Sequence, residues 1–219
     1  MKITIGDIQL NYTKHGNGFP LILLHGNGED HHIFDKLGKL LKEDYTVYAI
    51  DSRNHGESSK TDDYSYATMA KDLKEFIKIL KLKEVSIVGF SDGAIIALTL
   101  AIDNPKLFRK MVLLGVNLQP SDFKEEYIKE LLGEYKKTEN PLLKLMLEQP
   151  NIELKQLRNV TTPTLIVAAE YDLFKPELYS SMVTTLPNAE LIIMPGHNHD
   201  SYVIGQDILY SHLRDFLYM

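Results

Sequence analysis

The sequence predicts an α/β protein whose mostly parallel sheet of eight strands is covered by helices. Three observations carry that expectation. Short β-branched runs alternate with longer amphipathic segments along the chain, which is the pattern of βα units building a parallel sheet. Around residue 91 one apolar run passes through "GFSDG" into a second apolar run with no loop between them. The composition, 44% hydrophobic and 25% charged, belongs to a chain that fills a core rather than to a disordered one.

The expected strands begin with "KITIG" and "IQLNYTKHG", joined as an antiparallel hairpin through Gly6 and Asp7. "PLILLHG", "YTVYAID", "EVSIVGF", "KMVLLGV", "TPTLIVAAE" and "AELIIMPG" follow. Between the fourth and fifth, Met69, Leu73, Phe76, Ile77 and Leu80 fall on one helical face, with Lys71, Lys74, Lys78 and Lys81 on the other. After Ser91, Ala94 to Ala101 offer almost no polar face, so that helix is expected at the centre. From about Asn117 to Val160 no strand is evident. There Tyr127, Ile128, Leu131, Leu132 and Tyr135 repeat at helical spacing before "NPLLKLMLEQP", and Pro120, Pro141, Pro150 and Pro163 mark element boundaries. The chain reads as one domain over 1–219 with a small helical insertion at about 117–160.

Charge and cysteine content exclude several functions. A net charge of −6 gives no electrostatic reason to bind nucleic acid or an anionic membrane. With no cysteine there is neither a disulfide nor a thiolate nucleophile. The start "MKITIGDIQLNYTKHG" alternates like a strand rather than a signal peptide, and no apolar stretch approaches the roughly 20 residues that cross a bilayer. A cytoplasmic protein is expected. His31, His32 and His55 fall on loops near one sheet edge, but no spacing resembles a zinc motif, so no metal is expected.

"GFSDG" matches G-x-S-x-G between a strand and a helix, the context of a nucleophile elbow. So tight a turn needs Gly89 and Gly93 to lack side chains, and it holds Ser91 in a strained conformation at a helix N-terminus. Serine alone is a poor nucleophile and requires a base and an acid, each at a strand end. Asp172 follows the seventh strand, with Glu170 as its rival; His197 and His199 follow the eighth. In "LILLHGNGED", His25 and Gly26 shape a turn whose Asn27 N–H joins that of Asp92 in an oxyanion hole.

Through "HGNG", "DSRNHGESS", "GFSDG", "EYDLFKP" and "PGHNH" the chain resembles the α/β-hydrolase superfamily over nearly its full length. The second segment is similar to D-x-R-G-x-G-x-S, with Asn54 and His55 where Gly and a variable residue are common. The resemblance implies a doubly wound sheet with helices on both faces and a cap after the sixth strand. It also implies a family segment P-G-x-G-H, which puts the base at His199, although "GH" at Gly196–His197 imitates the motif. An aspartate nucleophile would be usual for halide cleavage, and here the position is Ser91. The elbow is also similar to that of valacyclovir hydrolases, which implies that Asp92 meets the amino group of an amino-acid ester.

The expected function is cleavage of a small carboxylic ester or related acyl compound by Ser91, Asp172 and His199, with Asn27 and Asp92 N–H groups holding the oxyanion and no cofactor. A C–C bond hydrolase or lactonase would use the same triad. A low-turnover ligand-binding protein is the reading from another class.

Overall fold

The computed structural model describes residues 1–218. Its eight strands are β1 (Lys2–Ile5), β2 (Ile8–His15), β3 (Phe19–Leu24), β4 (Tyr45–Ile50), β5 (Val85–Phe90), β6 (Phe108–Leu114), β7 (Thr164–Tyr171) and β8 (Ala189–Asn198). They form one sheet in the order β1-β2-β4-β3-β5-β6-β7-β8. The first hairpin is antiparallel, with Ile5 opposite Ile8 across the Gly6–Asp7 turn and Gly6 at φ +58°. β2 pairs antiparallel with β4, and every later pairing is parallel. The parallel strands therefore present their C-terminal ends along one rim, where ligands of open α/β sheets are bound.

Seven α-helices accompany them among the described residues, six between strands and the last after β8: α1 (Asp35–Leu41), α2 (Tyr66–Ile79), α3 (Asp92–Asp103), α4 (Glu125–Thr138), α5 (Pro141–Glu148), α6 (Pro176–Thr185) and α7 (Tyr210–Tyr218). The period-2 pattern of the central strands sends side chains into two separate cores. Ile22, Leu24 and Ile87 pack with Met69, Phe76, Ile95 and Met182 of α2, α3 and α6. Leu21, Leu23, Val88 and Phe90 pack with Leu37, Leu41, Leu213 and Leu217 of α1 and α7. Each large apolar side chain so buried contributes about 1.5–3 kcal/mol, which is why β3 and β5 carry apolar residues on both faces.

α2 starts where the Ser65 hydroxyl accepts the Thr68 N–H at 3.4 Å. Met69, Leu73, Phe76 and Ile77 are buried and Lys71, Lys74 and Lys78 exposed, as the periodicity predicts; Leu80 is only half-buried. α3 is buried almost all round. α4 and α5 lie between β6 and β7, in the stretch that reads as helical and strand-free, flanked by short helical turns at Pro120–Asp122 and Leu154–Asn159. Tyr127, Ile128 and Leu131 pack partly buried on the first core and Leu145 is buried there, whereas Leu132 stays exposed. No helix among the described residues is long and apolar enough to cross a membrane.

Candidate active site

Ser91 stands at the end of β5, before the first residue of α3, with φ +50° and ψ −113°. A non-glycine residue there stores on the order of 1–3 kcal/mol of strain. Three backbone bonds hold it: Ser91 N–H donates to Leu114 O at 2.8 Å, and Ser91 O accepts from Ala94 and Ile95 at 2.9 and 3.0 Å. The flanking glycines are steric necessities. A Cβ on Gly89 would collide with the Gly93 carbonyl, and one on Gly93 with the Leu24 carbonyl. The two apolar runs around Ser91 have no loop because strand and helix pack through these bare Cα atoms.

His199 Nε2 lies 3.2 Å from Ser91 Oγ, and its Nδ1 lies 2.7 Å from Asp172 Oδ1. Because the carboxylate can only accept, Nδ1 carries the proton and Nε2 presents a lone pair to the serine hydroxyl. Asp172 also accepts the N–H groups of Ala169 at 3.0 Å and Leu173 at 2.8 Å. Burial opposes its charge, but the His199 bond and the Ala169 N–H hold the carboxyl below its ordinary value. Phe90 and Phe174 flank the imidazole at ring distances of 5.0 and 5.4 Å.

The two alternatives the sequence leaves open stand elsewhere. Glu170 is exposed, its Oε2 accepting the Gly196 N–H at 2.7 Å. His197 Nδ1 is 3.0 Å from Ser201 Oγ.

Asn27 and Asp92, whose N–H groups are the expected oxyanion donors, are joined through their side chains. Asn27 Nδ2 donates to Asp92 Oδ2 at 2.9 Å and to Leu142 O of α5 at 3.2 Å. Tyr66 Oη donates to Asp92 Oδ1 at 2.7 Å. Asp92 is 3% exposed; burial raises its carboxyl, and the Tyr66 and Asn27 bonds work against that rise. Behind this pair, His25 donates from Nδ1 to Gly26 O at 2.7 Å and accepts the Ser52 N–H on Nε2 at 3.0 Å. Burial, with His55 alongside, lowers His25 to about 4, so it stays neutral and keeps that tautomer.

The "DSRNHGESS" segment braces this arrangement rather than reaching the serine. Asp51 accepts from Asn11 Nδ2 at 2.9 Å, His31 N at 2.9 Å and Glu57 N at 3.0 Å. Arg53 forms a buried two-pronged pair with Asp72 of α2 at 2.6 and 2.8 Å. Asp30, His31 and His32 bring potential ligand atoms within 4.8 Å of one another. The two imidazoles lie 4.1 Å apart, tilted by 33°, with His31 Nδ1 engaged by Asp51 and His32 Nδ1 by Asp35. His55 lies apart from them, against His25 at 4.9 Å.

Several contributors carry no motif. Tyr66 and Leu142 reach Asp92 and Asn27 from helices remote in sequence. Lys124 Nζ donates to Asp172 O at 2.6 Å. At Gly115, φ +56°, a Cβ would stand 2.6 Å from His199 Cε1. Only the "LLGV" punctuation at the end of β6 hints that this glycine matters.

A parallel-rich sheet carrying a strained serine at a strand-to-helix elbow defines an α/β hydrolase. The chain belongs to the alpha/beta hydrolase fold family, whose model matches residues 20–138. It is 29% identical to the human serine hydrolase BPHL over 99% of this chain and 85% of that protein. A fluoroacetate dehalogenase from Burkholderia is 30% identical over 52% of this chain and 40% of its own length. Among solved structures, the fold is shared with MGS-M2, an alpha/beta hydrolase from a Medee basin deep-sea metagenome library. That match has a TM-score of 0.82 at 20% identity and covers 100% of this chain and 98% of the other.

Proposed function

We propose that this chain is a serine hydrolase cleaving a small carboxylic ester, or a related acyl compound, through an acyl-enzyme. His199 Nε2 takes the Ser91 proton, while Asp172 keeps the imidazole in its Nδ1-protonated tautomer and offsets the imidazolium charge. Ser91 Oγ attacks the carbonyl carbon, and the N–H groups of Asn27 and Asp92 hold the tetrahedral oxyanion. The imidazolium then protonates the leaving alcohol, and water repeats the sequence to release the acid. The scheme needs no cofactor. Residues 1–219 act in it as one domain, with 117–160 as a cap, in a cytoplasmic enzyme acting on a soluble small molecule.

The observation that supports this reading is the unbroken relay from Ser91 Oγ through His199 to Asp172, at 3.2 and 2.7 Å. A fluorophosphonate probe is expected to label the parent protein and leave Ser91→Ala unlabelled. Hydrolysis of p-nitrophenyl esters should fall by several orders of magnitude in the same folded variant. A parent that takes no label would instead be a ligand-binding protein on this fold. Esters of graded acyl length then report the size of the pocket.

A narrower reading rests on Asp92, the carboxylate that follows the nucleophile directly. It favours amino-acid esters, whose ammonium would take the place of the Asn27 amide on Oδ2. A preference in kcat/KM for an α-amino ester over its des-amino analogue that collapses in Asp92→Asn supports it. Equal rates in the parent reject it.

A further inference from the structure

The loop after β3 carries a carboxyl that the triad does not use. Glu29 Oε2 accepts the Gly26 N–H at 2.9 Å, and the Glu29 N–H returns to Gly26 O at 3.4 Å. These two bonds close a ring around Asn27 and Gly28, the latter at φ +73°. The ring is packed as well as bonded. A Cβ on Gly26 would stand 2.8 Å from Glu29 Oε2 and 3.1 Å from Phe90 Cδ1, and the same Phe90 lies against His199. Asn27 is thus fixed through its backbone by Glu29 and through its amide by Asp92 and Leu142.

Glu29 is half-buried, and the ionisable groups that face it are His199, Asp92 and Asp200. Burial raises its carboxyl to about 7; the Gly26 N–H and His199 pull it down, while Asp92 and Asp200 add to the rise. A carboxyl in that range changes charge where a histidine base operates.

We propose that Glu29 is a positioning residue of the active site: its carboxyl closes the turn that aims the Asn27 N–H. The inference rests on the hydrolase reading above. As an acceptor, Glu29 keeps the oxyanion donor in place before substrate arrives, so its contribution is felt in kcat rather than KM.

The test compares Glu29→Ala and Glu29→Gln with the parent on one p-nitrophenyl ester. Glu29→Ala should lose about tenfold or more in kcat with KM little changed. Glu29→Gln, which keeps an acceptor for the Gly26 N–H, should recover most of that loss. An alanine variant as active as the parent, or a Glu29→Gln variant that recovers none of the alanine variant's loss, overturns the proposal.

Thermal melting separates this failure from failure of the hydrolase reading, because it needs no activity. A carboxyl whose folded value is raised destabilises the fold as pH climbs from its ordinary value of 4.5 through about 7. Glu29→Gln should therefore melt higher than the parent at about pH 8 and not at about pH 4. Equal Tm differences at both pH values also count against the proposal. An unlabelled Ser91 beside the expected melting pattern would sink the hydrolase reading while leaving the buried carboxyl in place.

Discussion

Gly115→Ala places one methyl group against the His199 imidazole, the base of the proposed mechanism, and leaves every polar group of the site in place. The added Cβ would lie 2.6 Å from His199 Cε1 and 2.9 Å from Nδ1. Ordinary contact begins near 3.4 Å, so the ring must retreat by about 0.8 Å or the β6 terminus must shift by as much. Retreat lengthens a Ser91–His199 contact that already stands at 3.2 Å, and a misplacement of that order costs about 10²-fold in rate. The backbone adds its own cost, because φ at Gly115 is +56° and an alanine held there loses about 1–2 kcal/mol. In a domain of this size that lowers Tm by roughly 2–8 °C. The assay is kcat/KM on a p-nitrophenyl ester together with a melting curve and the rate of fluorophosphonate labelling. A folded Gly115→Ala protein that hydrolyses within threefold of the parent would refute the reasoning, since the ring would then have slack that the packing of Phe90 and Phe174 denies it.

Two further outcomes follow from the same geometry. His199→Ala should lose several orders of magnitude of esterase activity while His197→Ala keeps most of it; if only the His197 variant is dead, the base has been misassigned. Asp51, lowered to about 2 by its Asn11, Glu57 and His31 bonds against the opposing effect of burial, favours the fold above its ordinary value of 3.8. That stability is lost as pH falls through about 2. Acid titration of the parent should show this loss between those values, and Asp51→Asn, less stable at neutral pH, should not; identical acid profiles would remove Asp51 from the account.

What the sequence determined by itself is whatever short-range physics dictates. The nearly unbroken apolar runs of β3 and β5 fit burial on both faces because the pleat has period 2, and Gly89 and Gly93 around Ser91 announce an elbow because so tight a turn leaves no room for their side chains. The helical spacing in 125–148 is legible for the same local reason. The partners of Asn27 and Asp92 are not, since a hydrogen bond from Tyr66 or to the Leu142 carbonyl depends on where α2 and α5 come to rest. Nor is the separation of His199 from His197 a local matter. The two stand two residues apart, but His197 meets Ser201 within its own turn whereas His199, just past β8, meets Asp172 and Ser91 brought in by β7 and β5. Glu29 and Gly115 read as an ordinary loop acid and a strand-end glycine. Their meaning comes from packing, because the energy of a buried carboxyl or of a missing methyl is set by what the rest of the chain places beside it.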